Sequence, residues 1–89
     1  MILMYFVYLL KSEKAKNSLY IGYTKDLEKR FKEHNGGECE FTRKYKPWRL
    51  IYYEAFLSLE DAKKREKSLK YFGKAYGQLK ARIRGSLNA

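Results

Sequence analysis

The chain contains one cysteine, Cys39, and one histidine, His34. A lone thiol forms no intramolecular disulfide, and one Cys with one His falls short of the ligand set of a zinc site. Long apolar runs are also missing, since no stretch approaches the ~18–20 residues of a transmembrane helix. The apolar opening, Met1 to Leu10, has neither the leading positive charges nor the small-residue cleavage site of a secretory signal, and reads as structure. These absences lead to the expectation of a cytoplasmic protein with no membrane association. No glycine-rich phosphate cradle and no Ser-His-Asp set is recognisable, so nucleotide hydrolysis and acyl transfer lack support.

Acidic residues are scarce as well: 10 Asp and Glu stand against 20 Lys and Arg, for a net charge of +10. Such a field attracts polyanions and speeds their association, which points to nucleic acid; a solvated basic surface serving solubility is the plain alternative. The hydrophobic content of 45%, with 17% aromatic, suffices for a packed interior. A length of 89 residues implies a single domain over residues 1–89.

The run Met4 to Leu10 has the pattern of a strand buried on both faces, and Leu19 to Tyr23 forms a second strand after the polar stretch Lys11 to Ser18. The two pair most simply as an antiparallel hairpin. Gly22 interrupts the second strand and marks a bulge or a close approach by another group. Thr24 and Asp26 suit the start of a helix that runs to Asn35, buries Leu27 and Phe31, and ends at Gly36-Gly37. Glu38 to Pro47 has no consistent period and reads as an ordered loop, followed by a third strand from Trp48 to Phe56. Ser58 and Asp61 resemble a capping box opening a basic helix to about Phe72, which Gly73 breaks or kinks. Lys74 to Leu87 has helical spacing in Leu79, Ile83 and Leu87 and reads as a C-terminal helical extension. The predicted fold class is α/β of the α+β kind: a three-stranded, mainly antiparallel sheet flanked by helices, in the order β-β-α-β-α-α.

At about 100° per residue, Glu66 shares one helical stripe with Leu59, Ala62 and Leu69. A carboxylate in an apolar face is costly unless it is paired, hydrogen-bonded, protonated or bound to a cation. Glu66 is therefore open to two readings, a structural ion pair and a metal or catalytic ligand. Arg30 and His34 lie one turn apart beside the stripe of Leu27 and Phe31. Arg30 alone reads as a stem covering the core with a wet head, and His34 alone as a hydrogen-bonded boundary residue. Nine tyrosines serve mostly as packing residues. Tyr8 and Tyr20 gain interest only if the hairpin register sends both to one face, which needs an even-sum pairing. Arg43, Lys44 and Lys46, interleaved with Phe41, Tyr45 and Trp48, have the composition of a nucleic-acid contact, and Lys63 and Lys70 add charge on the basic helix.

Taken together these residues resemble the GIY-YIG nuclease family. Phe6-Val7-Tyr8 stands where the first tripeptide falls and Tyr20-Ile21-Gly22 matches the second. Arg30 follows at the position of the helix arginine, His34 at a position where the family uses a polar aromatic or histidine, and Glu66 at that of the metal-binding glutamate. The resemblance covers residues 4 to 72 and fits the small stand-alone branch, similar to the N-terminal nuclease domain of the bacterial excision-repair incision subunit but without its partner-binding and additional DNA-binding domains. Two departures are Phe6 in place of the first glycine and Tyr23 where the repair nuclease carries lysine.

The resemblance implies a divalent-metal-dependent endonuclease that acts on nucleic acid, with DNA ahead of RNA. Glu66 would hold one Mg²⁺ or Mn²⁺, an arrangement that one carboxylate supports because such ions keep waters and take substrate phosphate. A tyrosine with pKa about 10 is mostly protonated at neutral pH, so a tyrosine base needs nearby positive charge. Tyr8 or Tyr20 would accept the proton of the attacking water, Arg30 would clamp developing phosphate charge, and His34 would bind substrate or share the transfer. A non-catalytic DNA- or RNA-binding module and a protein-recruiting accessory domain are the alternatives.

Overall fold

The computed structural model describes residues 3–89; Met1 and Ile2, part of the apolar opening, lie outside the described residues. Strands β1 (Tyr5–Ser12) and β2 (Leu19–Thr24) are followed by helix α1 (Leu27–Asn35), the short helix α2 (Glu40–Arg43) and strand β3 (Trp48–Phe56). Helices α3 (Leu59–Tyr71), α4 (Gly73–Arg82) and the short α5 (Arg84–Leu87) complete the chain. Both strand pairings are antiparallel, and β1 lies in the middle of the order β2-β1-β3.

The central strand is covered on both sides, which accounts for its unbroken apolar run. Val7, Leu9 and Ile21 face α3 and α4 and pack with Ala62, Leu69, Leu79 and Ile83. Tyr8 and Leu10 face the other way, joined by Trp48 and by Leu27 and Phe31 of α1. A bulge makes the second layer possible. Leu9 pairs with Tyr52 but Leu10 pairs with Leu50, so β3 carries one extra residue at Ile51. The extra residue resets the alternation of β3 and brings Leu50 and Trp48 onto the α1 face, where an unbroken ladder would have sent them to the opposite face.

Helix α1 begins and ends by local chemistry. The Asp26 carboxylate accepts the Lys29 amide at 3.1 Å, satisfying a free donor of the first turn. At the other end the Gly37 amide donates to His34 O and the Glu38 amide to Glu33 O, a Schellman closure that needs the left-handed φ of +79° at Gly37. Ser58 caps α3 by accepting the Asp61 amide at 3.3 Å.

Four boundaries differ from the sequence expectation. β1 continues through Lys11 to Ser12 because the Ser12 hydroxyl, although buried, is fully used: it donates to Tyr45 O at 2.6 Å and accepts from the Lys14 and Ala15 amides. The segment read as an ordered loop contains α2, whose Thr42 and Arg43 amides close on Cys39 O; one turn is too short to show a period. The break after α3 falls at Phe72, with extended φ of −118° and ψ of 96°, and Gly73 already belongs to α4. The final helix divides at Ile83 into α4 and α5, while Leu79 and Ile83 are buried as their spacing implied.

Candidate functional site

The hairpin register decides what the two tyrosines do. Tyr8 pairs with Gly22 and Leu10 with Tyr20, an even-sum register that puts Tyr8 and Tyr20 on the α1 face as near neighbours. Their ring centroids are 6.2 Å apart, and the His34 ring lies 5.7 Å from Tyr8 and 4.8 Å from Tyr20. Gly22 lies directly beneath the Tyr8 hydroxyl: a Cβ there would stand 2.6 Å from the phenolic oxygen and 3.1 Å from the Tyr20 ring. The close approach expected at this glycine is therefore made by the side chain of Tyr8.

His34 is wholly buried and both of its nitrogens are engaged, Nε2 with the Tyr8 hydroxyl at 2.8 Å and Nδ1 with Thr42 Oγ1 at 2.8 Å. The Thr42 hydroxyl donates to Cys39 O at 3.4 Å, which leaves Thr42 Oγ1 to accept from Nδ1–H and Nε2 to accept from Tyr8. Burial, with the Arg30 charge beside it and only partly countered by Glu33, lowers the His34 pKa to about 4, so the ring is neutral at neutral pH. Burial likewise pushes the Tyr8 phenol above its ordinary range even though the Arg30 guanidinium beside it pulls the other way. Arg30 is raised in turn by its hydrogen bond to Tyr8, and its Nη1 also donates to Glu33 at 3.2 Å.

Glu66 joins this cluster through a lysine. Lys70 Nζ is 3.0 Å from Glu66 Oε2 and 5.8 Å from the centroid of the Tyr20 ring. The Glu66 side chain is 16% exposed, so it remains within reach of solvent and of small ligands. The donor chemistry suits a hard, oxygen-liganded ion that keeps waters. It does not suit zinc, since neither His34 nitrogen is free and no group of three or more His, Cys, Asp or Glu able to hold an ion occurs among the described residues.

The model of the GIY-YIG catalytic domain matches residues 4–85. The chain belongs to this family. The GIY-YIG match passes beyond residue 72, where the resemblance read from the sequence stops, and takes in α4. A UPF0213 protein of Staphylococcus saprophyticus is 38% identical over 71 residues, covering 79% of this chain and 84% of its own. A UPF0213 protein of Clostridium perfringens is 43% identical over 68 residues, covering 75% of this chain and 71% of its own. The solution NMR structure of a UPF0213 protein from Bacillus halodurans superposes with a TM-score of 0.56 at 31% identity, covering 91% of this chain and 87% of that one. The fold is thus that of a nuclease-type GIY-YIG domain of the small stand-alone kind.

The five residues matched to the GIY-YIG pattern fall into one neighbourhood: Tyr8, Tyr20 and His34 ring to ring, Arg30 on Tyr8, and Glu66 beside Tyr20 through Lys70. The basic residues expected to meet nucleic acid are more scattered. Arg43 Nε donates to Gly37 O at 2.9 Å, and Lys44 lies 5.6 Å from the Tyr45 ring centroid. Lys46 approaches Gly37, Lys63 is exposed on α3, and Lys70 is held within the cluster. No helix among the described residues is long and apolar enough to cross a membrane.

Three contributors escape a reading of the sequence. Thr42 is buried and fixes the His34 ring, while its carbonyl accepts the Trp48 indole N–H at 2.7 Å. Asn35 ties the end of α1 to the start of β3 by donating to Trp48 O and accepting its amide. Lys70 reads from the sequence as a cation for nucleic acid, and what escapes is its pairing with Glu66. Thr42 and Asn35 are ordinary polar residues in loop-like or terminal positions, and only the tertiary packing of α1, α2 and β3 gives them partners. The spacing of Glu66 and Lys70, one turn apart, was the one available signal for the third.

Proposed function

We propose that this domain hydrolyses phosphodiester bonds in nucleic acid, DNA ahead of RNA, using one Mg²⁺ or Mn²⁺ held by Glu66. The convergence of Tyr8, Tyr20, Arg30 and His34 with Glu66 supports this reading, since the sequence separates these groups widely and the cluster joins buried polar rings to an arginine and a glutamate that reach solvent. Bound there, the cation would supply charge neutralisation for the phosphate and leaving group.

The protein groups divide the remaining work. Tyr8 commits its proton to His34 and is held neutral by burial, so it serves to orient and to accept a hydrogen bond. Tyr20 is only half-buried and has the Lys70 ammonium against its ring. It is the tyrosine that water can reach, and we assign it the proton of the attacking water. Arg30, partly exposed and anchored by Glu33, clamps phosphate oxygens as charge develops on them. His34 holds Tyr8 in place and, being neutral, adds no competing charge.

One observation favours a second reading. Lys70 already neutralises Glu66, as it would in a binding module that grips nucleic acid without cutting it. The experiment that separates the two is incubation of labelled branched, single-stranded and duplex DNA and RNA with Mg²⁺, Mn²⁺ or chelator, beside Glu66→Ala and Tyr20→Phe. Metal-dependent cleavage lost in both variants is the expected result. Salt-sensitive binding with no cleavage across the panel selects the binding module, because phosphate contacts weaken steeply with salt. Cleavage that survives Glu66→Ala refutes the assignment of the site.

A further inference from the structure

Tyr71 and Phe72, 72% and 63% exposed, are adjacent large aromatics at the corner where α3 gives way to α4. A scattered apolar residue on a surface needs no explanation, but these two occupy a built position. Phe72 holds extended backbone between two helices, which turns its side chain out of both helical surfaces, and a Cβ on the neighbouring Gly73 would meet nothing within 4 Å. The corner is open. It is also flanked by cations: Lys63, Lys67 and Lys70 follow one another at helical spacing along one stripe of α3, and Lys74 lies just beyond the break. Lys63, Lys67 and Lys74 are exposed, and Lys70 is the residue that touches both Glu66 and Tyr20. On the helical wheel Glu66 borders this stripe on one side and Tyr71 on the other.

We propose that Tyr71 and Phe72 form a base-stacking wedge, so that the preferred ligand is nucleic acid with an unpaired or unstacked base close to the phosphate held at the Glu66 site. The inference rests on the proposed nuclease site and adds the class of substrate to it. Five residues of helix lie between Glu66 and Phe72, a rise of roughly 9 Å along the axis, about the length of two to three stacked nucleotides at 3.4 Å each. A strand whose phosphates run along the lysine stripe therefore reaches the corner within a few nucleotides of the metal-binding glutamate. An aromatic face there accepts any base, and a base still paired in continuous duplex has no face to offer it. An anionic membrane would also match lysines beside aromatics, but the continuity of the stripe with Glu66 and Tyr20 favours nucleic acid.

The test is binding without metal, which does not depend on cleavage. Fluorescence anisotropy would be measured with a labelled single strand, a blunt duplex and a duplex carrying a one-nucleotide bulge of 2-aminopurine, for the wild type, Tyr71→Ala, Phe72→Ala and Phe72→Trp. Both residues are exposed, so the variants are expected to melt as the wild type does. Alanine at either position should weaken binding to the single strand and the bulge by about five- to a hundredfold and leave the blunt duplex within twofold. Phe72→Trp should restore affinity and quench 2-aminopurine. Equal affinity of wild type and Phe72→Ala for all three ligands overturns the wedge while leaving the cleavage test untouched. Absence of nucleic-acid binding by the wild type overturns both. Two further outcomes also overturn it: Phe72-dependent binding confined to vesicles of mixed phosphatidylserine and phosphatidylcholine, and a dimer seen by sedimentation that Phe72→Ala dissolves.

Discussion

Acidification should unfold this protein through His34. The ring is fully enclosed, hydrogen-bonded at both nitrogens and beside Arg30, and its pKa falls from the ordinary 6.5 to about 4. Between these two values the unfolded chain binds a proton that the folded chain refuses. The stability contributed by the neutral ring is therefore complete above pH 6.5 and is lost as pH falls toward 4. At 1.36 kcal/mol for each pKa unit, the full loss is about 3 kcal/mol, most of which should have gone by pH 4.5. With a urea m-value of ~1 kcal/mol/M for a chain of this size, the midpoint falls by about 2–3 M.

The assay is urea unfolding, followed by tryptophan fluorescence, at pH 7.5, 6.5, 5.5 and 4.5 for the wild type and His34→Gln. Trp48 is buried and donates to Thr42, a neighbour of the histidine, so it reports on this region. The variant starts less stable because glutamine reproduces the two hydrogen bonds imperfectly, but it has no group to titrate in this window. Glu54, whose carboxylate burial would raise but whose hydrogen bonds from Arg65 and Tyr52 hold low, titrates in both proteins and cancels in the difference. Parallel stability curves for the two proteins would refute the claim that His34 is buried neutral, and with it the assignment of Tyr8 as the donor to Nε2.

Three further perturbations probe other parts of the structure. Gly22→Ala places a methyl group 2.6 Å from the Tyr8 hydroxyl, so chemical denaturation should show a loss of about 1–3 kcal/mol and any cleavage should fall with it; a neutral substitution would mean that Tyr8 moves aside freely. Lys70→Met removes the cation that competes for Glu66, and NMR titration with Mn²⁺ should show binding at Glu66 tightened about two- to fivefold, with unchanged affinity counting against Glu66 as the ligand. Arg65→Met leaves Glu54 with one hydrogen-bond donor, Tyr52, and should cost about 1–3 kcal/mol in urea unfolding while leaving nucleic-acid binding at the lysine stripe, on the other side of α3 from Arg65, unaltered. A variant as stable as the wild type would show that the pair contributes nothing.

Much of the architecture was legible because it follows from periodicities that the chain states locally. The run from Met4 to Leu10, the capped helix starting after Asp26 and the span Trp48 to Phe56 each carry their own pattern, and the structure places elements at all three. The site was legible differently. No local pattern distinguishes Tyr8 from the other tyrosines; it was singled out by its order with Tyr20, Arg30 and Glu66 along the chain. What stayed hidden depends on contacts between elements. The Thr42 hydroxyl has a role only because α2 brings it to His34, and the bulge at Ile51 shows itself only when β3 is laid against β1. Glu54 and Arg65 illustrate the same limit, since a glutamate in a strand and an arginine on a basic helix announce no pair, yet they meet at 2.9 Å with Tyr52 as a third member.

The glycine that the chain gives up from its family pattern and the one that it keeps can be weighed by the same geometry. Phe6 replaces the first glycine, and its neighbours across the sheet are Thr24 and Ala55. Both are small, and the ring settles edge-on against Tyr53 at 5.8 Å. A bulky residue therefore fits at position 6 with no group displaced. Gly22 is different, for Tyr8 lies over it and the Tyr20 ring stands beside it. Its lack of a Cβ is what allows the first tyrosine to reach His34. The two tripeptides thus act as one unit in which the second supplies the floor for the tyrosine of the first, and this accounts for a sequence that gives up one glycine of the pair and keeps the other.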